Sequence, residues 1–269
     1  MIPTYNQEGY IDIAISSAVA QVGNFMHEIL VSSDGSTDET RARIQSWEKR
    51  FPLLIRDVSS DTNVGISENF RRLFREASGD YIAILEGDDI WTDPEKLEKQ
   101  KMFLEENVEC SMVFSMIRVK QLPSGKDFLL DRQENIRKNK LQGEDFLADP
   151  SMNLIANFSS CMLKTNLVKQ LPDRLFEARF NEIGMAFFFE RFGPIGFIKQ
   201  EMSVYHQHEG GVWSGMSREA QLRSGLEVRK MVHEIADDRH KSEIMRIMEE
   251  KYVEPLAKLC SEGSLNSEI

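Results

Sequence analysis

Over residues 1–105 the chain repeats one pattern four times: an apolar run, a small polar turn, then apolar residues at helical spacing. Parallel strands need long crossovers and not tight hairpins, so the repeat predicts a parallel sheet with helices on its faces. Residues 1–6 read as the end of a short or clipped strand and its loop, before Ile11, Ile15, Ala18 and Val19 on one helix face. Residues 28–33 form the second strand, and Ser36 with Glu39 fits a capping box for a helix to about Arg50. Residues 53–58 form the third strand and 63–65 its loop. Ile66, Phe70, Leu73, Phe74 and Ala77 then make one helix face, closed by Gly79. Residues 81–85 form the fourth strand, and Pro94 opens a helix carrying Leu97, Phe103 and Leu104. Residues 110–119 are a further apolar strand.

Sheets of this kind bind ligands beyond the carboxyl ends of their strands. Here those ends are residues 3–6, 33–35, 63–65 and 86–89, and each carries glycine or small polar or acidic groups. One such turn is noise, whereas four on one edge mark a site. The fourth strand runs straight into Glu86, Asp88 and Asp89. Like charges this close repel unless something positive sits between them. Carboxylate oxygens on a short turn suit Mg²⁺ or Mn²⁺, which keep waters and share substrate phosphates. The competing reading is a solvated acidic turn that caps the helix at Pro94. Neither G-x-G-x-x-G nor G-x-x-x-x-G-K-[ST] occurs, so no dinucleotide or Walker fingerprint is available.

The second half is less regular. Residues 120–140 are polar and basic and read as a mobile loop, either solvated or able to attract an anionic acceptor or lipid phosphate. A short strand at 159–164, a helix after Asn166, an apolar helix at 185–192 and a strand at 195–204 follow. From 217 to about 259, helical apolar spacing predicts two or three amphipathic helices that pack on the domain or on a partner. His27, His233 and His240 read as helix-surface residues. The net charge of −11 argues against nucleic acid and against a broad anionic-membrane footprint. No apolar run approaches the roughly 18 residues of a membrane span, and no signal peptide is evident. Cys110, Cys161 and Cys260 form no C-x-x-C pair and read as reduced thiols of a cytoplasmic protein.

Pro3-Thr-Tyr-Asn6, Ser33-Asp-Gly-Ser-Thr-Asp38, Asn63-Val-Gly65 and Leu85-Glu-Gly-Asp-Asp-Ile-Trp-Thr-Asp-Pro94, in this order and spacing, resemble glycosyltransferase family 2. The resemblance covers residues 1–104 and returns at about 180–214. It implies the GT-A fold: an α/β, mostly parallel sheet with helices on both faces, plus C-terminal helices. Residues 1–119 would be the nucleotide-sugar half, 120–215 the acceptor half and 216–269 a helical appendage. It also implies inverting transfer from a nucleotide diphosphate sugar, a UDP-sugar first, to a hydroxyl of a glycan or lipid-linked acceptor, assisted by Mg²⁺ or Mn²⁺. The setting would be polysaccharide or glycoconjugate assembly in the cytoplasm, with peripheral membrane association and a homo-oligomer both compatible.

By the same resemblance Pro3, Thr4, Tyr5, Asp34, Asn63, Gly65, Glu86, Gly87 and Asp88 meet the nucleotide sugar. Asp88 and His208 hold the metal, Glu182 is the general base and Trp213 touches the acceptor. The bland readings are a helix-terminal carboxylate for Glu182, a structural imidazole for His208 and core packing for Trp213. The chain departs from the family pattern with Glu86 for the usual Asp, Ser33 for the first of two acids, Glu68 for an arginine before Asn69, and Ile183 for a tryptophan. Two rivals stay open. A nucleotidyltransferase would bring a basic, glycine-rich first loop, and residues 3–6 contain neither lysine nor arginine. A degenerate sugar-nucleotide-binding protein would bind without transferring.

Overall fold

The computed structural model describes residues 1–122, 124–208, 210 and 215–265. Strands β1 (Ile2–Thr4), β2 (Ile29–Ser33) and β3 (Ile55–Asp57) lie parallel in the order β1-β2-β3. Helices α1 (Ile11–Val19), α2 (Thr40–Arg50) and α3 (Ile66–Glu76) carry the chain back between strands. Next come β4 (Tyr81–Ala83), β5 (Ile90–Trp91), helix α4 (Lys96–Glu106), β6 (Met112–Gln121), β7 (Lys126–Leu129), β8 (Lys140–Leu141), β9 (Cys161–Lys164) and β10 (Ile195–Gln207). They form a second sheet ordered β4-β9-β6-β10-β5, with β7 beside β6 and β8 beside β10. Just past β4 the backbone joins the two sheets: Leu85 N–H donates to the Met1 carbonyl and Gly87 N–H to that of Pro3, both at 3.0 Å. The N-terminal strands are parallel, as the repeat requires. The second sheet is mixed, because β9 inserts antiparallel between β4 and β6 while β6 and β10 run parallel.

Both sheet faces are covered, and side-chain alternation shows it. Met112 and Phe114 enter the larger hydrophobic core while Val113 between them enters the smaller, and Ile82 and Ile84 alternate with Tyr81, Ala83 and Leu85 in the same way. Helices α1, α2 and α4 cover the smaller core through Ile11, Ile15, Ile44 and Leu104. Helix α3 covers the larger through Phe70 and Phe74, together with the helix Glu182–Phe189.

Several local expectations differ from the structure. Ser36 does not cap α2: its hydroxyl accepts the Asn6 N–H, and the helix begins at Thr40, whose N–H donates to Asp38. The loop at Asn6 has recruited the serine. Helix α3 stops at an extended Ala77, two residues before Gly79. The described residues of 120–140 are not an irregular loop. They include the paired strands β6 and β7, where Arg118 pairs with Glu201 and Asp127, and a short helix, Asp131–Glu134.

The helices Arg218–Ile235 and Asp238–Met248 pack on the domain, placing Val228, Met231, Val232, Ile244 and Ile247 in the larger core. His240 is not on a helix surface but buried, 3.1 Å from Glu190. His27 lies outside any helix. Cys110 and Cys161 are buried unpaired thiols.

Candidate active site

One end of the candidate site is built on the tip of β2. Asp34 follows that strand directly, is buried, and accepts the N–H groups of Val64 at 3.0 Å and Gly65 at 2.8 Å. Two of its acceptor sites are therefore committed to holding the 63–65 loop. That loop needs its glycines. Gly65 sits at φ +90°, and Gly35 at φ +66° would place a Cβ 2.3 Å from the Asn63 nitrogen. Asn63 Oδ1 also accepts the Gly65 N–H. Glu68 pairs with Arg71. One turn along α3, Arg72 reaches Ser32 and Asn69 at 3.2 Å, so an arginine does stand behind this pocket, but from a later position. Pro3, Thr4 and Tyr5 line the cleft, with Tyr5 nearly half exposed.

The acidic end sits where the two sheets join. Gly87 is not in the cleft wall. A Cβ there would lie 2.5 Å from Gln7 Oε1 and 2.6 Å from Thr4 Cβ, so only glycine lets the backbone pass β1. The carboxylates on either side diverge. Asp88 Oδ2 lies 3.0 Å from His208 Nε2, and His208 stacks on Tyr10 with ring centroids 4.9 Å apart. His206 Nδ1 donates to the Asp88 carbonyl at 2.6 Å. Asp89, fully buried, accepts from Ser159 Oγ at 2.6 Å and from the His206 N–H at 3.0 Å. Glu86 accepts from Asn157 Nδ2 at 2.5 Å.

Burial, then repulsion among these acids and Glu182, pushes the Glu86 carboxyl well above its ordinary range, with Arg179 the opposing charge. Burial and Asp88 do the same to Asp89. The Asp88 carboxylate in turn raises the pKa of His208. The cluster is short of positive charge. Mg²⁺ and Mn²⁺ are commonly held by one or two carboxylates plus substrate phosphates, and Asp88 supplies such a carboxylate, with the His208 imidazole beside it. Among the described residues the one grouping of three close ligand atoms lies elsewhere, at Glu144, Glu190 and His240, where Arg239 already bridges the two glutamates.

Glu182 opens the helix Glu182–Phe189, whose N-terminus is capped by Asn181 Oδ1 accepting the Gly184 N–H at 2.9 Å. Its carboxyl faces the same cleft. Burial pushes its pKa up to about 7, against the pull of its own backbone N–H, Arg179 and Arg132. One cavity of about 950 Å³ runs from Pro3, Asp34 and Asn63 past Asp88, His208 and Glu182 to Leu222 and Tyr252. Every proposed site residue lines it except Gly87, and Trp213, which lies outside the described residues. Sequence reasoning missed Tyr10, Asn157, Arg132, Arg179 and Tyr205, which line it too. Only Arg132 had a signal, as part of the basic run.

A parallel N-terminal half, carboxylates where the sheets join, and a mixed second sheet behind a shared cleft define a GT-A glycosyltransferase fold. Residues 1–160 match the family model described as glycosyl transferase family 2, and the chain belongs to that family. An uncharacterised protein of Mycobacterium bovis is 31% identical over 213 residues, which cover 78% of this chain and 58% of that relative, so this chain spans little more than half the relative's length. Among solved structures, Staphylococcus aureus TarS (residues 1–349, with UDP) superposes with a TM-score of 0.65 at 18% identity, covering 92% of this chain and 68% of that one. The mannosyltransferase PcManGT of Pyrobaculum calidifontis, with GDP-Man and Mn²⁺, gives 0.59 at 14% identity, covering 100% and 79%.

Proposed function

We propose that this chain transfers a sugar, with inversion, from a nucleoside diphosphate sugar to a hydroxyl of a glycan or lipid-linked acceptor in polysaccharide or glycoconjugate assembly. One observation carries the reading. Glu86, Asp88, Asp89 and Glu182 cluster with His208 around the same cleft that the Asp34–Gly65 loop closes at its other end. A nucleotide fits the loop end, and a diphosphate with its cation fits the acids. UDP is the favoured nucleotide and Mg²⁺ or Mn²⁺ the cation; the structural relatives were solved with UDP and with GDP-Man and Mn²⁺.

Asp88 and His208 would hold the ion, with Glu86 close by to reach its waters or the ribose. When bound, a divalent ion neutralises charge building on the leaving diphosphate. Glu182 takes the acceptor proton, and with a pKa of about 7 it is ionised in a large fraction of molecules at neutral pH. Asp89 and His206 hold the 86–89 turn against β10 so that Asp88 meets His208. Pro3, Thr4, Tyr5, Asn63 and Gly65 frame the base and ribose. No helix among the described residues is long and apolar enough to cross a membrane. We place a lipid-linked acceptor, as a separate part of this reading, at the cytoplasmic face.

The test is transfer from a panel of UDP-sugars by wild type and Glu182→Gln, with the product anomer read by NMR. The reading expects an inverted anomer and a kcat loss of about 10²–10⁴-fold. A retained anomer, or undiminished turnover in the variant, overturns it.

A further inference from the structure

The cavity wall carries both signs of charge. Its acidic lining residues are Asp34, Glu86, Asp88 and Glu182. The cations in the wall are Arg132, Arg179, Arg218, Arg229 and Lys251. In a chain of net charge −11 this gathering is against composition. Arg229 is already used: it donates to the Ser151 and Gly225 carbonyls and lies over the Tyr252 ring. Arg218 and Lys251 are exposed at the mouth.

Arg132 and Arg179 are different. Both are partly buried, and both sit near enough to Glu182 to lower its pKa. Neither makes a salt bridge among the described residues, and Arg132 Nε is buried with no hydrogen-bond partner. A desolvated guanidinium without a partner is costly, and its planar fork matches a phosphate or carboxylate bidentately. The acids acting on Arg132 are Asp149 and Glu182, whereas Arg179 also acts on Glu86 and so stands between the two ends of the cleft. The donor diphosphate already has its own candidate cation site at Asp88 and His208.

We propose that Arg132 and Arg179 form a subsite for an oxyanion carried by the acceptor, a phosphate or carboxylate close to the hydroxyl that Glu182 deprotonates. The proposal rests on the transferase reading above, and it narrows the acceptor to anionic glycans or phosphate-bearing acceptors. The other source of the same chemistry is the donor's own diphosphate, and the experiment separates the two.

The full chain is saturated with UDP and Mg²⁺ and then titrated calorimetrically with glycerol phosphate and, as the neutral control, glycerol. Wild type is expected to bind glycerol phosphate at least tenfold more tightly than glycerol. Arg132→Gln and Arg179→Gln should each weaken glycerol phosphate at least tenfold, and Arg132→Gln should leave UDP affinity within about twofold. Arg132→Lys and Arg179→Lys keep the charge, should recover part of the loss, and stand in for any glutamine variant that fails to fold. Three results overturn the proposal: no preference for glycerol phosphate over glycerol, phosphate binding that UDP displaces, or an Arg132→Gln variant that loses UDP and phosphate together. If UDP itself does not bind, the transferase reading falls separately, and the titration is read on the free protein. Arginine-dependent phosphate binding there still supports an anion subsite, and none overturns it.

Discussion

Glu182 sits at the first turn of a helix, where the peptide dipole favours its charge, yet burial outweighs that and lifts its pKa to about 7. If it is the base, kcat/KM rises with pH as the carboxyl loses its proton and levels off above about 7. Glu182→Gln should flatten that limb, and an unchanged limb would assign it to another group. Stability runs the other way. The folded chain holds this proton more tightly than an unfolded one, so the contribution of Glu182 declines as pH rises from its ordinary 4.5 through about 7. Denaturant titrations across that window should show a shallower decline in Glu182→Gln. At this scale the lining of the candidate cleft was legible where residues are neighbours in sequence: Glu86 and Asp88, Asn63 and Gly65, Asp34. Asn157 was not, because it meets Glu86 across 71 residues and no local pattern records that. Arg179 was missed for the same reason.

The elements that matter most are turns. Asp34 holds the 63–65 loop by two backbone N–H groups, and Gly35 lets the two segments touch. Gly35→Ala puts a side chain at φ +66° and against the Asn63 nitrogen, so it should destabilise by at least about 1–3 kcal/mol and weaken nucleotide binding. An unchanged denaturation midpoint would contradict this account of the loop. The order of the early elements could be read from period alone, because the strands are short and β1 and β2 are buried on both faces. The start of α2 could not: Ser36 serves the Asn6 loop and Asp38 takes the capping role, a choice made by tertiary contact. The β6–β7 hairpin was hidden because its charges look like a solvated loop until Arg118 is seen between Glu201 and Asp127.

Across the whole molecule two hydrophobic cores flank the joined sheets, and the C-terminal helices complete the larger one. Amphipathic spacing announced those helices but could not say what they cover. Met231 is fully buried there and lies against Gly184 of the helix that begins with Glu182. Met231→Ala should cost about 2–5 kcal/mol, and cutting the chain after residue 217 should leave no cooperative unfolding transition. A truncated chain that still melts cooperatively would show the helices to be an independent appendage. The joined sheets bring the Asp34–Gly65 loop, the acids and Glu182 to one cleft, which we propose binds a nucleoside diphosphate through a metal at Asp88. The most direct test is thermal stability with UDP, with and without Mn²⁺, in wild type and Asp88→Ala. Stabilisation of about 2.7 kcal/mol at a hundredfold excess over Kd is expected, present only with the metal and lost in Asp88→Ala. Stabilisation that needs no metal, or none with UDP, GDP, dTDP or CMP in well-folded protein, would contradict it.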